Sequence, residues 1–499
     1  MNSATKLTEL PGLIDNILSD PQMPVDNILA RLWKTMAIPT MLSRVGINKR
    51  SGLPAPNVIY LLLVWVWLKA PSIHLFARDS LQGFADVRKD VIYDFLKRED
   101  VNWRGFHCQV ARKIYQHHSL KSARIKAFVV DDSVKIRTGK KMGGVSRHFD
   151  HLTGRSVRGQ QVLTLGFATD HTFLPLDQDI YISQKQVQPQ LFEDQRSTAA
   201  RRYQQARDLT KPELLVLAVK RALRQGFEAD YFLADAWFGN KSTLRMTEAN
   251  NLTAVLRMKK DKTKYRYKTF THGQWQVQQL TAVGLFQQVV RKQWDKIPGT
   301  AYQAKTLNVE LNLAKKPSDP DRWITVRLQF VRGVDQASKP QAGKHDWALF
   351  LCTDAKLSPQ KILEIYALRW GIEVYFKESK QNLGLLKEQT RTFTSPIASV
   401  SLSAIRYLML LYASLEQDNP LNEVRTDLST GLIGLSAGHR LQGLFRCIIS
   451  YTLEPFQAVL GEMTEKIMAA LNENINAFFT QALQLDHFTL ALEAKPDAT

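Results

Sequence analysis

The stretch "IKAFVVDDS", residues 125–133, is the point from which the fold can be derived. Its apolar, β-branched run is followed directly by two aspartates, which predicts a buried strand that ends in acidic residues. The next two apolar runs are "VLTLGFATD" (162–170) and "TFLPLDQDIYI" (172–182), and turn signals separate them. The sequence therefore predicts three consecutive strands from residue 125 onward.

A helix and two further strands follow these three strands. Thr210 and Glu213 have the spacing of a capping box, "LLVLAVKRAL" (214–223) supplies an apolar face, and Gly226 ends the helix. A fourth strand is predicted to end at Asp235, and after a short polar helix "LTAVLRM" (252–258) predicts a fifth. Three strands, a helix, a strand, a helix and a strand is the element order of a ribonuclease-H-like α/β core.

The remaining sequence predicts three further regions around this core. Residues 259–355 are rich in short strand-like runs, and we interpret them as a β-rich insertion subdomain between the two parts of the core, 121–258 and 356–415. Residues 1–120 predict a basic, helical DNA-binding region, and residues 416–499 a helical region that mediates dimerisation.

The composition favours a polyanionic partner. Lys and Arg number 67 against 47 Asp and Glu, a net charge of +20 on the 499 residues, which favours nucleic acid first and an anionic membrane surface second. The apolar run Val58–Leu68 is shorter than the roughly 20 residues that span a bilayer, so it predicts a buried helix. The three cysteines lack the spacing of a disulfide framework or zinc site, as is typical of a cytoplasmic protein.

The stretch "YALRWGIEVYFKESK", residues 366–380, predicts a polar helix face with an acid at its centre. Ser358 and Pro359 give a cap and first turn for one helix that includes it. At 100° per residue, four of its side chains fall within a sector about 60° wide. They are Tyr366, Arg369, Glu373 and Lys380. The two cations can hold a phosphate beside the single acid.

Three acids then have the order that metal-dependent phosphodiester cleavage needs. One is at the first strand, one ends the fourth strand (Asp235), and one is on the late helix (Glu373). Carboxylates are the ligands that Mg²⁺ prefers, and a pair of ions can activate water and stabilise the leaving oxygen. Asp131 and Asp132 face opposite sides of a strand, so only one can contribute, and the strand pattern leaves the choice open.

These motifs resemble those of a known family. Tyr366-x2-Arg369-x3-Glu373-x6-Lys380 followed by "QNLGL" is similar to the signature of DDE transposases of bacterial insertion sequences, in the insertion sequence four family. "VVDDS" (129–133) and "LADAWFG" (233–239) resemble its two aspartate motifs. The resemblance implies a ribonuclease-H-like core with a β insertion before the Glu-bearing helix.

The resemblance also implies roles for individual residues. The first acid lies two residues before a Ser or Thr in that family, which favours Asp131 over Asp132. Asp131, Asp235 and Glu373 would then bind two Mg²⁺ ions, with Mn²⁺ able to substitute. Trp347 in the closing strand of the insertion is similar to a tryptophan that stacks on a flipped DNA base; core packing is the equal alternative.

The implied activity is cut-and-paste transposition. One strand is nicked at the end of the element, the 3′-hydroxyl forms a hairpin with the other strand, and the opened end joins target DNA. The implied partners are double-stranded DNA and a second copy of the chain in a homodimer, in a cytoplasmic protein associated with the nucleoid when bound to DNA.

Two alternatives accompany this hypothesis. The first is a DNA-binding regulator that has lost catalysis, against which the presence of all three acids argues. The second is a zinc nuclease site built from His148, Asp150 and His151, on a predicted strand.

Overall fold

The computed structural model describes most of the chain. The described residues are 28–456 except 82–83, 86, 140–141, 151–153, 184–189, 272, 291–293, 317 and 334–345, together with 461, 463, 466–467 and 469–470. They divide into two compact units. The helical unit comprises the described residues of Met1–Val110 and Ser379–Thr499, and the sheet unit is Ala111–Glu378. The predicted five-part division is finer than these two units and stays a prediction.

The sheet unit holds the strands. They are β1 (Ala127–Ile136), β2 (Ser146–Asp150), β3 (Arg155–Ala168), β4 (Phe173–Tyr181), β5 (Tyr231–Ala234), β6 (Thr253–Arg257), β7 (Lys264–Thr271), β8 (Gln274–Thr281), β9 (Asp295–Lys296), β10 (Tyr302–Asn312), β11 (Trp323–Gly333) and β12 (Ala348–Cys352). All twelve belong to one mixed sheet, which gives the mixed α/β fold class that the sequence predicts.

The strand order explains how the sheet is assembled. Its path is β2-β3-β1-β5-β6-β12-β11-β10-β7-β8, with β4 paired to β3 and β9 to β10. β1 is antiparallel to β3 and parallel to β5, and β5 is parallel to β6. The strands of the predicted insertion join through β12, which pairs antiparallel with β6, so they extend the same sheet.

Helices account for most of the rest. Those with seven or more described residues are α1 (Ile28–Thr35), α2 (Ile38–Arg44), α3 (Ala55–Trp67), α4 (Ile73–Asp79), α5 (Lys89–Lys97), α6 (Trp103–His117), α7 (Thr198–Asp208), α8 (Lys211–Arg224), α9 (Lys241–Ala249), α11 (Pro359–Ala367), α12 (Trp370–Gln381), α13 (Thr394–Gln417) and α14 (Leu421–Leu453); α10 is the single turn Ala282–Leu285. Helix α8 begins with the predicted capping box, and Gly226 beyond its end has a φ of 83°, so this prediction is confirmed.

The helical unit is built around apolar helices. Helix α3 is buried along nearly its whole length, which confirms the prediction for Val58–Leu68. Helix α13 is the one described helix that is long and apolar enough to cross a membrane, and 94% of its apolar window is buried inside the protein. Within this core Arg406 and Glu388 form an ion pair with both side chains fully buried.

Three sequence predictions about local structure were wrong. Strand β1 does not end at the two aspartates but continues to Ile136, because it pairs with β3 along its whole length. Strand β2 confirms the strand predicted around His148, whereas the position of helix α7 was missed. The single helix expected from Ser358 is two helices, α11 and α12, with a break at Leu368 and Arg369.

Tight turns of the backbone mark the break between α11 and α12. The amides of Arg369 and Ile372 donate to the carbonyls three residues earlier, at 3.0 and 3.2 Å, so the chain advances by about 120° per residue there instead of 100°. Gly371 packs directly on the Phe173 side chain, where a Cβ would lie 3.0 Å from it. Tertiary packing against β4 therefore coincides with the interruption of the helix.

Candidate active site

Two of the predicted acids lie side by side on adjacent parallel strands. The ladder of β1 and β5 ends at the pair Val130 and Ala234, and Asp131 and Asp235 directly follow these two residues along the chain. Burial and the negative charge of Asp235 raise the pKa of Asp131 from 3.8 to about 7. The negative charge of Asp235 is thus close enough to disfavour the ionisation of Asp131.

The turn after β5 orients Asp235. The Oδ1 atom of Asp235 accepts hydrogen bonds from the backbone amides of Trp237 and Phe238, at 2.9 and 3.3 Å. The turn is closed by Gly239, where a Cβ would lie 2.1 Å from the carbonyl oxygen of Arg257 on β6. Only glycine permits this close approach, so the position of Asp235 depends on Gly239.

Arg369 connects Asp131 to the third predicted acid. Its Nη1 atom donates to Oδ2 of Asp131 at 3.2 Å, and its Nη2 atom donates to Oε1 of Glu373. One guanidinium therefore lies between the two carboxylates, and its side chain is only 15% exposed. Tyr366 lies beside it, with the guanidinium carbon 5.7 Å from the ring centroid.

Helix α12 is fixed on the sheet by residues around Glu373. The hydroxyl of Tyr375 accepts a hydrogen bond from Nε2 of Gln178 on β4, at 2.9 Å. The same nitrogen donates to Oγ1 of Thr164 on β3 at 3.0 Å, and all three side chains are buried. These contacts, with the packing of Gly371 on Phe173, set the position from which Glu373 reaches Arg369.

Asp132 faces the other side of the sheet. Its Oδ2 atom is 2.6 Å from Nζ of Lys211, the first residue of α8, and its Oδ1 atom accepts from Nε2 of Gln161 at 2.8 Å. The structure therefore brings Asp131, and not Asp132, together with Arg369 and Asp235. Asp132 is instead part of a separate ion pair.

The remaining predicted residues have different surroundings. Trp347 is only 5% exposed and is stacked on Phe286, with ring centroids 4.6 Å apart, so of its two alternatives the structure shows core packing. Lys380 is on α12, seven residues after Glu373. His148 is buried on β2, which lowers its pKa to about 4, and its ring nitrogen lies 2.9 Å from Oγ of Ser146. His151 lies outside the described residues, so the zinc alternative receives no support.

One exposed residue of the site was missed by the sequence reasoning. Trp370 directly follows Arg369 and is 65% exposed, which is unusual for a tryptophan. The available signal was the "RW" pair inside the motif, but an apolar residue off the polar face of the predicted helix was not considered as a binding residue. An exposed aromatic ring next to a cation is typical of surfaces that bind nucleic acid bases.

The donor set fits a divalent cation. Asp131, Asp235 and Glu373 offer carboxylate oxygens, which hard cations prefer, and the pKa of Asp131 is raised by burial first and by the negative charge of Asp235 second. Arg369 provides a positive charge at the same place. The three carboxylates therefore have the chemistry to hold a cation beside the guanidinium of Arg369.

Comparison with protein families agrees with this site. A family described as DDE superfamily endonuclease matches residues 76–278, and a family described as Transposase DDE domain matches residues 204–407. The first range contains Asp131, the second contains Glu373, and both contain Asp235. The chain thus carries domains of the DDE class, which supports a nuclease or transposase enzyme that acts on DNA. No curated protein sequence gives a significant match to the chain.

Proposed function

We propose that the protein is the transposase of a bacterial insertion sequence of the insertion sequence four family. In this proposal it binds the terminal repeats, cuts them by a hairpin route and joins the freed ends to target DNA. The observation that carries the proposal is the link from Asp131 through Arg369 to Glu373, with Asp235 beside Asp131. The strand order β4-β3-β1-β5-β6 supports a ribonuclease-H-like core, with the later strands as its insertion.

Each residue of the site has a proposed role. Asp131, Asp235 and Glu373 would hold two Mg²⁺ ions, or Mn²⁺ in their place, and these ions would supply the activation of water and the stabilisation of the leaving oxygen. Asp131 must lose its proton to serve as a ligand. Arg369 would release at least one carboxylate as the cations bind, which frees its guanidinium to grip a phosphate of the DNA.

The remaining polar residues would hold the DNA strand. Burial raises the pKa of Tyr366 to about 12, so its hydroxyl keeps its proton and can donate to a phosphate oxygen. Lys380 would add a point charge from the same helix as Glu373. Trp370 would stack on a base exposed at the cleavage position. This role suits Trp370 because its ring is exposed, whereas the ring of Trp347 is buried.

We also propose a homodimer that pairs the two ends of the element. Helix α14 exposes Leu444, Ile448 and Tyr451 at spacings of four and three residues, which places the three side chains on one face. Their exposed fractions are 58%, 54% and 47%. This apolar face supports dimerisation through the carboxy-terminal region. The proposed location of the protein is the cytoplasm, with association to the nucleoid when DNA is bound.

The test is a cleavage and footprinting experiment on the DNA that flanks the gene. Glu373→Ala should abolish Mg²⁺-dependent cleavage and leave the footprint on the ends largely intact. The matched control is Glu364→Ala, a surface residue of α11 that pairs only with Lys361 among the contacts described, and it should cleave as the wild type does. Cleavage retained by Glu373→Ala would remove that residue from the mechanism. Binding without cleavage by the wild type with any divalent ion would support the inactive regulator instead.

A further inference from the structure

Strand β1 continues for five residues beyond Asp131, and a backbone hydrogen bond to β3 extends the pairing by one residue past its end. In an antiparallel ladder, directly opposed residues point to the same face, and alternate residues of one strand share that face. Lys135 therefore shares the face of Asp131 and opposes Gln160 on β3. Arg137 follows on the same face, with its amide donating to the carbonyl of Arg158 at 2.9 Å.

A third strand widens this face. On β2, Arg147 is directly opposed to Arg158 of β3. Arg137, the residue after β1, therefore forms a row with Arg158 and Arg147. Together with Lys135 they place four cations on the side of the sheet that carries Asp131. We call these four residues the cationic strip.

The assignment of faces has independent support from side-chain contacts. Thr164, opposed to Asp131, hydrogen-bonds Gln178 and thereby connects to Tyr375 of α12. Gln161, on the other face, hydrogen-bonds Asp132 instead. The cationic strip is thus on the same side as the candidate active site.

The cationic strip places positive charges close together, which does not favour the stability of the folded protein. Like charges on directly opposed residues of a sheet are destabilising, and here two arginines oppose one another. Burial and the charge of Arg137 lower the pKa of Lys135. Arg147 is exposed, and the other three side chains are partly exposed, so an external anion can reach them.

One member of the strip is held in a fixed orientation. The Nε atom of Arg137 donates to Oε1 of Gln160 at 2.9 Å, and Nε2 of Gln160 donates to the carbonyl of Gly143 at 2.6 Å. Gln160 is 2% exposed, so it is a rigid support. A guanidinium oriented in this way loses less entropy when it binds a phosphate.

We propose that the cationic strip binds the phosphate backbone of a DNA duplex that continues outward from the cleavage position. This inference rests on the proposed function and adds a substrate-positioning surface to it. The six residue steps from Asp131 to Arg137 span about 20 Å of strand, which corresponds to about six base pairs of duplex at 3.4 Å each. The phosphates bound there belong either to the end of the element or to target DNA.

The test compares two sets of variants of the full chain. The first is Lys135→Gln/Arg147→Gln/Arg158→Gln, which leaves the hydrogen bonds of Arg137 in place. The control is Arg155→Gln/Lys220→Gln/Arg224→Gln, which removes the same charge: Arg155 is on β3 but on the opposite face, and Lys220 and Arg224 are exposed residues of α8. Affinity is measured against salt concentration with duplexes that cover the DNA at both ends of the gene, and strand transfer with a supercoiled plasmid.

If the cationic strip binds the ends of the element, the strip variant should bind end duplexes more weakly than the wild type, and the control variant should not. Its affinity for end duplexes should fall at least about tenfold, and the slope of log affinity against log salt should fall by about 0.9 for each phosphate that the variant no longer neutralises. If the cationic strip binds target DNA instead, the strip variant should keep its affinity for end duplexes, and its strand transfer should fall by a similar factor. If the strip variant and the control variant behave equally in both assays, the inference is overturned. Cleavage by the wild type would still support the proposed function in that case.

A further measurement distinguishes a loss of protein stability from a loss of DNA binding. The unfolding midpoint of each variant shows whether the triple variant folds. If it does not, Arg147→Gln is compared with Arg155→Gln, since both residues are exposed. A wild-type protein that neither binds nor cuts the DNA would remove the proposed function and this inference together.

Discussion

The guanidinium of Arg369 reaches the carboxylate of Asp131 at 3.2 Å, across 238 residues of sequence. It donates to Glu373 as well, so one positive charge is shared between two of the three acids. This single side chain therefore links the end of the β1–β5 ladder to the helix that carries the third acid. The arrangement suits a site that alternates between an arginine-bound and a cation-bound form.

Arg369→Lys should keep the charge but lose the fork that reaches both carboxylates. We expect cleavage to fall about 100-fold, similar to the loss of one preorganised donor in other active sites. The measurement is single-turnover cleavage of an end duplex at saturating protein. Lys361→Arg, a change on the surface of α11, is the control and should have no effect. A variant at position 369 that cleaves at the wild-type rate would exclude the guanidinium from the chemistry.

The raised pKa of Asp131 gives a pH-dependent stability. Because the folded protein holds this proton up to about pH 7 and the unfolded chain releases it near 3.8, the contribution is fully present below about pH 4 and is lost as the pH rises through 7. The loss is on the order of 4 kcal/mol. Asp131→Asn should not show this loss of stability. In the absence of divalent cations, the free energy of unfolding of Asp131→Asn minus that of the wild type should therefore increase from pH 4 to pH 8.

Denaturant unfolding at a series of pH values measures this difference. Asp208→Asn is the control, because a hydrogen bond from Arg207 lowers the pKa of Asp208 and its small contribution is lost in the opposite direction, on acidification. A flat difference between Asp131→Asn and the wild type would mean that Asp131 ionises with an ordinary pKa.

Trp370→Ala should weaken DNA binding without weakening the fold. The ring is 65% exposed, so its removal costs little stability, whereas the loss of one stacked base costs about 1–3 kcal/mol, or roughly 5- to 150-fold in affinity. Trp370→Phe should retain most of the affinity. The control is Val374→Ala on the same helix, where the side chain is 41% exposed. Equal affinities for Trp370→Ala and the wild type would refute base stacking.

Gly239→Ala should disrupt the turn that carries Asp235. The new Cβ would lie 2.1 Å from a backbone oxygen, which cannot move without displacing β6, so we expect a loss of about 2–4 kcal/mol in stability. Cleavage should fall further than stability, because Asp235 moves with the turn. Gly333→Ala, where no atom lies within 4 Å of the added carbon, is the matched control. A stable Gly239→Ala protein would show that the turn adapts.

The sequence predicts what local pattern determines and misses what distant pairing determines. The capping box of α8 and the strand before Asp235 depend on neighbouring residues, and both were predicted. The true length of β1 depends on β3, and the break before α12 coincides with the packing of Gly371 on Phe173, more than 190 residues away. The position of Arg369 between two carboxylates has the same dependence on tertiary structure, so the helix wheel grouped Arg369 with Glu373 but could not show Asp131.

Asp132→Asn separates the two adjacent aspartates. Lys211 and Asp132 are only 11% and 19% exposed, so the substitution leaves a buried ammonium without its carboxylate and should cost about 3 kcal/mol of stability. Cleavage by the folded fraction should stay near the wild-type rate, because Asp132 faces away from Arg369. Lys211→Met added to Asp132→Asn should restore part of the stability, since the unpaired charge is removed. If Asp132→Asn instead loses cleavage at wild-type stability while Asp131→Asn keeps it, then Asp132 is the acid that serves the reaction, and the strand must turn over to bring it to the site.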